Sequence, residues 1–411
     1  MRNLCLYLTL IVYCKITSAN SGALFNVTNN TTPTGATLNI TSTIPNRSYP
    51  IAGIKLNSND YRLTNAGSEC TKIENGYCLF ALNNLSTPSI SITGKVGAIP
   101  ITLCLNGIGP LSCQSYEGSI RYAYVANDSG QILLCPINSN GDLGVCIDGG
   151  GSTAITGPNV IAFNASKTMA YVTNSVPGSG SVFLCDVQSD YTLDACNMLT
   201  NTSMFPFQVP FGIVLNKSQT KAYIPNGSDQ HVLICSLNMD GTFSACQNSG
   251  NTGIPFGYPL GLVFNKAQTK AYVTNNGNHT VSICPIQSNG TFGDCEDSGN
   301  TGIAFSSPLG IVLNGSETIA YITNTSANTV SICPMQNDGT FGACIDSGDI
   351  FDYPIWIALN SDETKAYVTN NANSTVSICP LNIDGSFGVC QNANHTGISL
   401  FNGPEGIVLN Q

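Results

Sequence analysis

The chain has 411 residues, which is enough for two domains with large buried cores. Only 9% of the residues are charged, and the formal net charge is −10 at pH 7. This acidic balance disfavours a nucleic-acid-binding protein, which normally presents a basic surface. Hydrophobic residues make up 42% of the chain and recur in short, regular runs, so a disordered low-complexity protein is excluded.

Residues 1–19 are predicted to be a secretory signal peptide. A basic residue near the start is followed by an apolar run over 4–13, and residues 17–19 (Thr-Ser-Ala) are typical of a cleavage site. The apolar run is too short to span a bilayer as a helix. A lipoprotein modification at Cys14 is the alternative, which the bulky Tyr13 before it disfavours. No other stretch approaches membrane-spanning length, so we expect an exported protein, secreted, periplasmic or on the cell surface.

Residues 20–118 are predicted to form a small β-sandwich. They contain short alternating apolar runs separated by Gly, Asn and Pro corners, a pattern typical of an immunoglobulin-like domain. The Cys–Trp–Cys core of true immunoglobulin domains is absent, because the only tryptophan of the chain is Trp356. The predicted likeness is therefore one of architecture. We place the start of the second domain at residue 119.

Residues 119–411 contain six copies of one unit. A complete copy joins an apolar run such as GIVLN to the runs AYVTN, TVSICP and GTFGDC. Four short strands in about 50 residues are typical of one blade of a β-propeller. The tyrosines of the second run are 47, 52, 49, 49 and 46 residues apart, and they are Tyr124, Tyr171, Tyr223, Tyr272, Tyr321 and Tyr367.

The order of the runs predicts how the ring closes. The first copy, which begins near Tyr122, lacks an apolar run just upstream, whereas the GIVLN run at residues 406–410 has no copy after it. We therefore expect residues 406–410 to supply the innermost strand of the first blade, which removes the open edges of a linear array. The predicted fold is all-β: a six-bladed β-propeller closed by the C-terminal strand and preceded by a small β-sandwich domain.

The cysteines predict disulfide bonds within the blades. Twelve of the 18 cysteines form six pairs with a spacing of 11 residues, and five pairs have Asn-Gly or Asp-Gly at their midpoint. These dipeptides favour two-residue hairpin turns, which place the two cysteines opposite each other. Paired zinc thiolates are the alternative, but zinc sites gather four ligands at shorter spacings, so we predict no metal. The six predicted pairs in the blades are Cys135–Cys146, Cys185–Cys196, Cys235–Cys246, Cys284–Cys295, Cys333–Cys344 and Cys379–Cys390. Two further pairs are predicted in the N-terminal region, Cys70–Cys78 and Cys104–Cys113.

The second run carries a resemblance to a known family. YVTN at Tyr272 and Tyr367, YITN at Tyr321, and the variants at Tyr124 and Tyr223 resemble the YVTN β-propeller repeat family, as do the GIVLN runs. The resemblance covers residues 121–411 and is strongest to secreted or surface-exposed bacterial members. It implies the propeller fold. It leaves the activity open, because that family includes sugar-lactone hydrolases as well as proteins that bind partners.

The loops of one face are the candidate binding surface. In a propeller, the loops from second to third strand and from fourth strand to the next blade share one face, here called the top face. Aromatic side chains there can bind sugar rings or partner side chains, or they can pack between blades. Two carboxylates near the channel can serve acid–base chemistry. The predicted ligand-binding residues are Phe207, Tyr258, Phe305, Tyr353, Trp356, Asp352 and Glu405.

A ring of asparagines lies at the end of the second strands. It can form a polar collar around the channel mouth, or each side chain can cap its own turn. On the opposite face, basic residues near the first turns mix with acidic residues of the third-to-fourth turns, which predicts a solvated surface of mixed charge. The asparagines are Asn127, Asn174, Asn226, Asn275, Asn324 and Asn370.

Catalytic motifs do not stand out. The chain has three histidines and no GxSxG, HExxH or P-loop motif, so we predict no catalytic residue and no cofactor. The predicted function is that of an exported, non-catalytic binding propeller, a monomer that recognises a protein or glycan partner through its top-face loops. The alternatives are a lactone hydrolase-like enzyme and a structural surface protein.

Overall fold

The computed structural model of the chain describes residues 121–138, 140–176, 179–188, 190–200, 205–349, 351–393 and 401–410, and in residues 1–120 only the backbone of ten strands. The chain divides into two compact units, one of residues 1–121 with 136–145 and one of residues 122–135 with 146–411. In this described part, no helix is long and apolar enough to cross a membrane.

Within residues 1–120 of the first unit, the described residues form ten strands in three sheets. One sheet has six strands in the order β10-β9-β1-β4-β7-β6, and β2–β3 and β5–β8 form two pairs. Strands β9 and β10 place Cys104 opposite Cys113, while the side chains and the signal-peptide cleavage site lie outside the described residues. The immunoglobulin-like sandwich stays a prediction. The strands are β1 (Leu8–Thr9), β2 (Phe25–Thr32), β3 (Gly35–Ser42), β4 (Tyr49–Leu56), β5 (Tyr61–Thr64), β6 (Lys72–Glu74), β7 (Tyr77–Leu82), β8 (Ser91–Gly94), β9 (Ile101–Leu105) and β10 (Ser112–Tyr116).

The remainder of the chain forms six four-stranded antiparallel sheets arranged as a β-propeller. The predicted fold class is confirmed. Blade 1 contains β34 (Pro404–Asn410), β11 (Arg121–Asn127), β12 (Ile132–Ile137) and β13 (Ile147–Asp148), from the channel outward. Blade 2 contains β14 (Pro158–Phe163), β15 (Met169–Val176), β16 (Ser179–Val187) and β17 (Leu193–Met198). Blade 3 contains β18 (Val214–Leu215), β19 (Lys221–Asn226), β20 (His231–Leu237) and β21 (Phe243–Asn248), with a 3-10 helix at Gly227–Asp229.

Blades 4 to 6 repeat this plan with little variation. Blade 4 contains β22 (Pro259–Phe264), β23 (Lys270–Asn275), β24 (Thr280–Pro285) and β25 (Glu296–Asp297). Blade 5 contains β26 (Pro308–Leu313), β27 (Ile319–Asn324), β28 (Thr329–Pro334) and β29 (Ile345–Asp346). Blade 6 contains β30 (Pro354–Leu359), β31 (Lys365–Asn370), β32 (Thr375–Pro380) and β33 (Gln391–Asn392).

The ring closes through the last strand. Strand β34 pairs with β11 in antiparallel register, with Val408 opposite Tyr124 and Asn410 opposite Tyr122. The sequence prediction of this closure is confirmed, although the strand begins at Pro404, two residues earlier than predicted.

Six disulfide bonds fasten the outer hairpins. Each joins a cysteine of the third strand to one that lies in the fourth strand or directly before it, with Cα–Cα distances of 3.9 to 4.1 Å. A loop of about ten residues closed in this way contributes on the order of 2–3 kcal/mol on the chain-entropy model. The six predicted pairs in the repeats are confirmed, whereas Cys70–Cys78 and Cys104–Cys113 lie outside the described side chains.

The motif tyrosine holds neighbouring blades together. We call each contact between consecutive blades a seam, numbered by its two blades. At seam 4–5, the Tyr272 hydroxyl donates a hydrogen bond to the Gly339 carbonyl at 3.0 Å, and its ring stacks on Phe341 with centroids 5.7 Å apart. Burial, with added repulsion from Glu317 and Asp338, raises the pKa of Tyr272 to about 12. The same hydroxyl bond joins Tyr124 to Tyr191, Tyr171 to Gly241, Tyr223 to Gly290 and Tyr321 to Gly385.

The motif threonine fastens the same seams near the channel. The Thr274 hydroxyl accepts a hydrogen bond from the Gly261 N–H at 2.8 Å and donates one to the Leu309 carbonyl of the next blade at 2.7 Å. A Cβ at Gly261 would collide with that carbonyl, which explains the glycine of the GIVLN run. The equivalent donated bonds join Thr173 to Phe211, Thr323 to Ile355 and Thr369 to Glu405.

Candidate functional site

The ring of asparagines supports the top-face loops from inside. Asn324 is buried, and its Oδ1 accepts a hydrogen bond from the Ser306 N–H at 3.1 Å, in the loop that enters the same blade. Its Nδ2 donates to Ser331 at 2.8 Å and Thr329 at 3.3 Å on the third strand. The asparagine therefore bonds both its own second-to-third turn and the interblade loop, and because it is buried it does not form a polar collar.

A second set of contacts fixes the residue before the inner strands of blades 5 and 6. The N–H of Tyr353 donates to Asn328 Oδ1 of the preceding blade at 2.8 Å, and the N–H of Ser307 donates to His279 Nδ1 at the same distance. Tyr258, Ser307 and Tyr353 all have positive φ values, of 55°, 51° and 54°. Left-handed backbone is uncommon for residues other than glycine, so these loops are held in one conformation by their neighbours.

The predicted aromatic residues divide into buried and exposed sets. Phe207 and Phe305 are buried, and Phe207 packs on Phe243 with ring centroids 6.1 Å apart. These two side chains fill the seams, as in the packing interpretation. Tyr258 and Tyr353 are 38% and 47% exposed, and in the part of the chain that the structure describes they are the only exposed aromatic side chains. Both lie on the top face, immediately before β22 and β30.

The centre of the ring is apolar on one side. Phe211, Leu260, Leu309 and Ile355, from the innermost segments of blades 3 to 6, belong to one buried cluster. Trp356 is half-buried and packs against this cluster, with its ring 6.2 Å from that of Phe211. The predicted binding residue Trp356 therefore contributes to the filling of the channel.

The other side of the ring is polar. Glu405 is 7% exposed, and its Oε1 accepts a hydrogen bond from Asn371 Nδ2 at 2.9 Å. The same Nδ2 donates to Asp128 Oδ2 at 3.0 Å, so one amide bridges two carboxyl groups. Asn159 also hydrogen-bonds Glu405 and accepts a bond from Ser175. We call Asp128, Asn159, Asn371 and Glu405 the polar corner.

The polar corner favours a protonated carboxyl group. Burial raises the pKa of Glu405 well above its usual value, and the charge and hydrogen bond of Asp128 raise it further, against a lowering effect of Asn159. A Cβ at Gly403, whose φ is +57°, would approach Asp128 Oδ2 to 2.7 Å. The backbone before β34 therefore needs glycine for Asp128 to reach this position.

Glu405 pairs with a residue that the sequence did not indicate. Asp352, the other carboxylate predicted near the channel, is half-buried, and its N–H donates to Asn370 Oδ1 at 3.4 Å. Between the side chains of Asp352 and Glu405 the described residues show no hydrogen bond. The partner is Asp128 instead, which lies in the loop after β11 and reaches Glu405 only because β34 closes the ring beside β11.

Metal-ligand groups were also sought in the described ranges. No cluster of three or more His, Cys, Asp or Glu side chains suited to a metal ion occurs there.

Comparisons with known proteins show the fold. No family model matches the chain, and no curated protein matches it. Among solved structures, a Bacteroides fragilis protein named as a 6-phosphogluconolactonase has a TM-score of 0.53 at 12% identity, over 71% of this chain and 98% of that one. A Lactobacillus plantarum protein has a TM-score of 0.52 at 13% identity, over 71% and 99%. A chain of the nidogen–laminin complex has a TM-score of 0.53 at 14% identity, over 71% of this chain and 98% of that one.

These likenesses are too distant in sequence to carry a function, because one propeller fold hosts many unrelated activities. The six-bladed fold that the YVTN resemblance implied is confirmed. Membership of that repeat family stays a prediction.

Proposed function

We propose that the chain is an exported binding propeller that recognises a protein or glycan partner through its top face. The observation that carries this proposal is the exposure of Tyr258 and Tyr353 at equivalent loop positions of blades 4 and 6. A tyrosine ring offers a flat apolar surface and a hydroxyl, which suits stacking on a sugar ring or contact with a partner's side chains.

The rigidity of the loops supports the same proposal. The carbonyl of Tyr353 accepts a hydrogen bond from the Asn371 N–H at 3.1 Å, and that of Tyr258 accepts one from the Asn276 N–H at 3.1 Å. The backbone of each tyrosine is thus bonded before any partner arrives. Loops that are already ordered lose less conformational entropy on association, which favours binding.

Export is supported by the six disulfides. Such bonds form and persist in oxidising compartments and are rare in the cytosol. We therefore place the protein outside the cytoplasm, in agreement with the predicted signal peptide.

A lactone hydrolase-like activity is the second candidate. The observation that favours it is the polar corner, because a carboxyl group held protonated beside a second carboxyl can act as a proton donor. The third candidate function is that of a structural surface protein with no defined ligand. Failure to find any partner would favour this candidate.

The test is a glycan array and an affinity capture with the oxidised mature protein. Tyr258→Ala and Tyr353→Ala are each expected to weaken binding by about tenfold or more, the loss of a typical interface anchor. Ile383→Ala, which changes an exposed side chain of a third-to-fourth hairpin, is the control and should bind normally. Binding that survives both tyrosine substitutions would exclude the top-face site. Turnover of sugar lactones that is lost in Glu405→Gln would favour the hydrolase instead.

A further inference from the structure

A polar groove opens on the face opposite the proposed binding surface. It has a volume of about 260 Å³ and lies at seam 3–4, between the first turn of blade 3 and the outer hairpin of blade 4. Lys221, Gln268 and Asn289 are among its lining residues, together with hydroxyl groups of Ser218 and Thr220. This volume is below that of typical drug-sized pockets, so it suits a small ligand.

The amide oxygens of Asn289 and Gln268 in this groove already accept hydrogen bonds within the protein. Asn289 Oδ1 accepts hydrogen bonds from the N–H and hydroxyl of Thr291 at 2.9 and 2.7 Å. Gln268 Oε1 accepts one from the Lys217 N–H at 2.9 Å. A backbone N–H can donate only to the oxygen of a side-chain amide and not to its NH₂ group. These bonds therefore fix which end of each amide is the oxygen. The two NH₂ groups have no partner among the described residues, and both are donors.

Lys221 adds a cation to the groove. Its aliphatic carbons lie close to Gly290, where a Cβ would be 3.0 Å from Cδ and Cε. Its ammonium makes no hydrogen bond or ion pair within the described part of the chain. At seam 4–5 the equivalent Lys270 behaves differently, because its ammonium donates to the backbone carbonyl of Asp338.

The neighbouring seams show what is special about this one. At the position of Asn289, the outer hairpins of blades 3, 5 and 6 carry Asp240, Asp338 and Asp384. At the position of Gln268, the first turns of blades 5 and 6 carry glutamates that accept equivalent backbone bonds, Glu317 and Glu363. Seam 3–4 therefore combines a lysine with two neutral amides, and its groove has no carboxylate among its lining residues.

We propose that this groove binds a small oxyanion, a phosphate or sulfate group, between Lys221, Asn289 and Gln268. An ammonium and amide N–H groups are the donors that such a group accepts from, and the missing carboxylates remove the repulsion present at other seams. The hydroxyls of Ser218 and Thr220 offer further polar contacts. The anion can arrive free or as the ester of a small sugar. This site is independent of the top face.

The test uses the full oxidised chain and calorimetric titration with inorganic phosphate, inorganic sulfate, glucose 6-phosphate and glucose. Phosphate or sulfate should bind and glucose should not, and tighter binding of the sugar ester would assign the ester as the preferred source. Lys221→Met and Asn289→Asp should each weaken binding at least tenfold. Asn289→Asp is structurally mild, because Asp338 already accepts the same bonds from Thr340 in blade 5.

Matched variants at seam 4–5 complete the test. Lys270→Met and Asp338→Asn should leave the affinity of seam 3–4 unchanged. The proposal is overturned if neither oxyanion binds at low millimolar concentration, or if Asn289→Asp binds as well as the unaltered protein. It is also overturned if Lys270→Met weakens binding as much as Lys221→Met does, since both remove one positive charge and the anion would then respond to net charge alone.

Discussion

Blades 1 and 5 follow one plan but differ in how the chain supplies their strands. Blade 5 is continuous, from β26 to β29, whereas blade 1 combines β34 with β11 to β13 from the other end of the ring. At the second residue of the inner strand, blade 5 has the buried apolar Leu309 and blade 1 has the buried acid Glu405. The continuous blade follows the repeat, and the closing blade departs from it.

The same contrast holds for the motif asparagines. In blade 5, Asn324 uses both its oxygen and its nitrogen. In blade 1, Asn127 accepts a bond from the Asn402 N–H at 3.4 Å, but its buried Nδ2 has no partner. The cause is visible in the sequence, since Leu133, two residues before Cys135, occupies the third-strand position of Ser331, two residues before Cys333. The closing blade therefore tolerates irregularities that the repeated blades avoid.

The largest effect should follow from removal of the closing strand. Deletion of residues 404–411 uncovers the edge of β11 and removes the acceptor of the Thr369 bond. These losses are comparable with the whole stability of a domain, about 5–15 kcal/mol, so we expect the propeller to lose its cooperative fold. Circular dichroism melting and size-exclusion chromatography measure this outcome.

A rearranged chain provides the control. Moving residues 404–411 to a position directly before Arg121 makes blade 1 continuous, like blade 5, and should restore the melting transition. If the deleted chain already melts like the unaltered protein, β34 does not hold the ring closed.

The second effect compares the two asparagines. Asn324→Ala removes three hydrogen bonds, and at about 1 kcal/mol each it should lower the free energy of unfolding by about 2–3 kcal/mol. Asn127→Ala removes one long bond and an unpaired amide, so its cost should be about 1 kcal/mol or less. Urea unfolding of both variants measures the difference. Equal losses would show that the third-strand serine contributes nothing.

The propeller fold could be predicted from the sequence because each blade repeats the same sequence pattern. Tyrosine spacing, turn dipeptides and cysteine spacing all depend on contacts within one blade or with the next, so one pattern predicts six copies. Phe207 and Phe305 show the limit of this reasoning, because a loop aromatic can face solvent or a seam, and only packing decides between them. Tyr258 and Tyr353 occupy a different position in the equivalent loops of other blades and are exposed.

The polar corner could not be predicted in the same way. Asp128 and Asn371 lie in different blades, far apart in sequence, and they meet Glu405 only at the closure. Comparison of aligned positions offers a signal for such sites. Glu405 stands where blades 4 and 5 have leucine, and Asn289 stands where blades 3, 5 and 6 have aspartate. Both differences can be found by aligning the repeats in the sequence.

The smallest effect concerns the pH dependence of Glu405. Its pKa is raised in the folded protein, so the folded state binds the proton more tightly than the unfolded chain. The stability that this group contributes is therefore full below the ordinary glutamate pKa and is lost as the pH rises through the folded value. Glu405→Gln cannot ionise, and its melting temperature relative to the unaltered protein should rise between pH 4 and pH 8.

Glu296→Gln, at an exposed position of β25, is the matched control for the loss of one carboxyl group. The difference in melting temperature between Glu296→Gln and the unaltered protein should stay small from pH 4 to pH 8, because an exposed carboxyl group has little effect on stability. If the difference in melting temperature between Glu405→Gln and the unaltered protein stays constant from pH 4 to pH 8, the pKa of Glu405 is not raised in the folded protein. The polar corner would then be a fixed hydrogen-bonded support for the closure, with no acid available for chemistry.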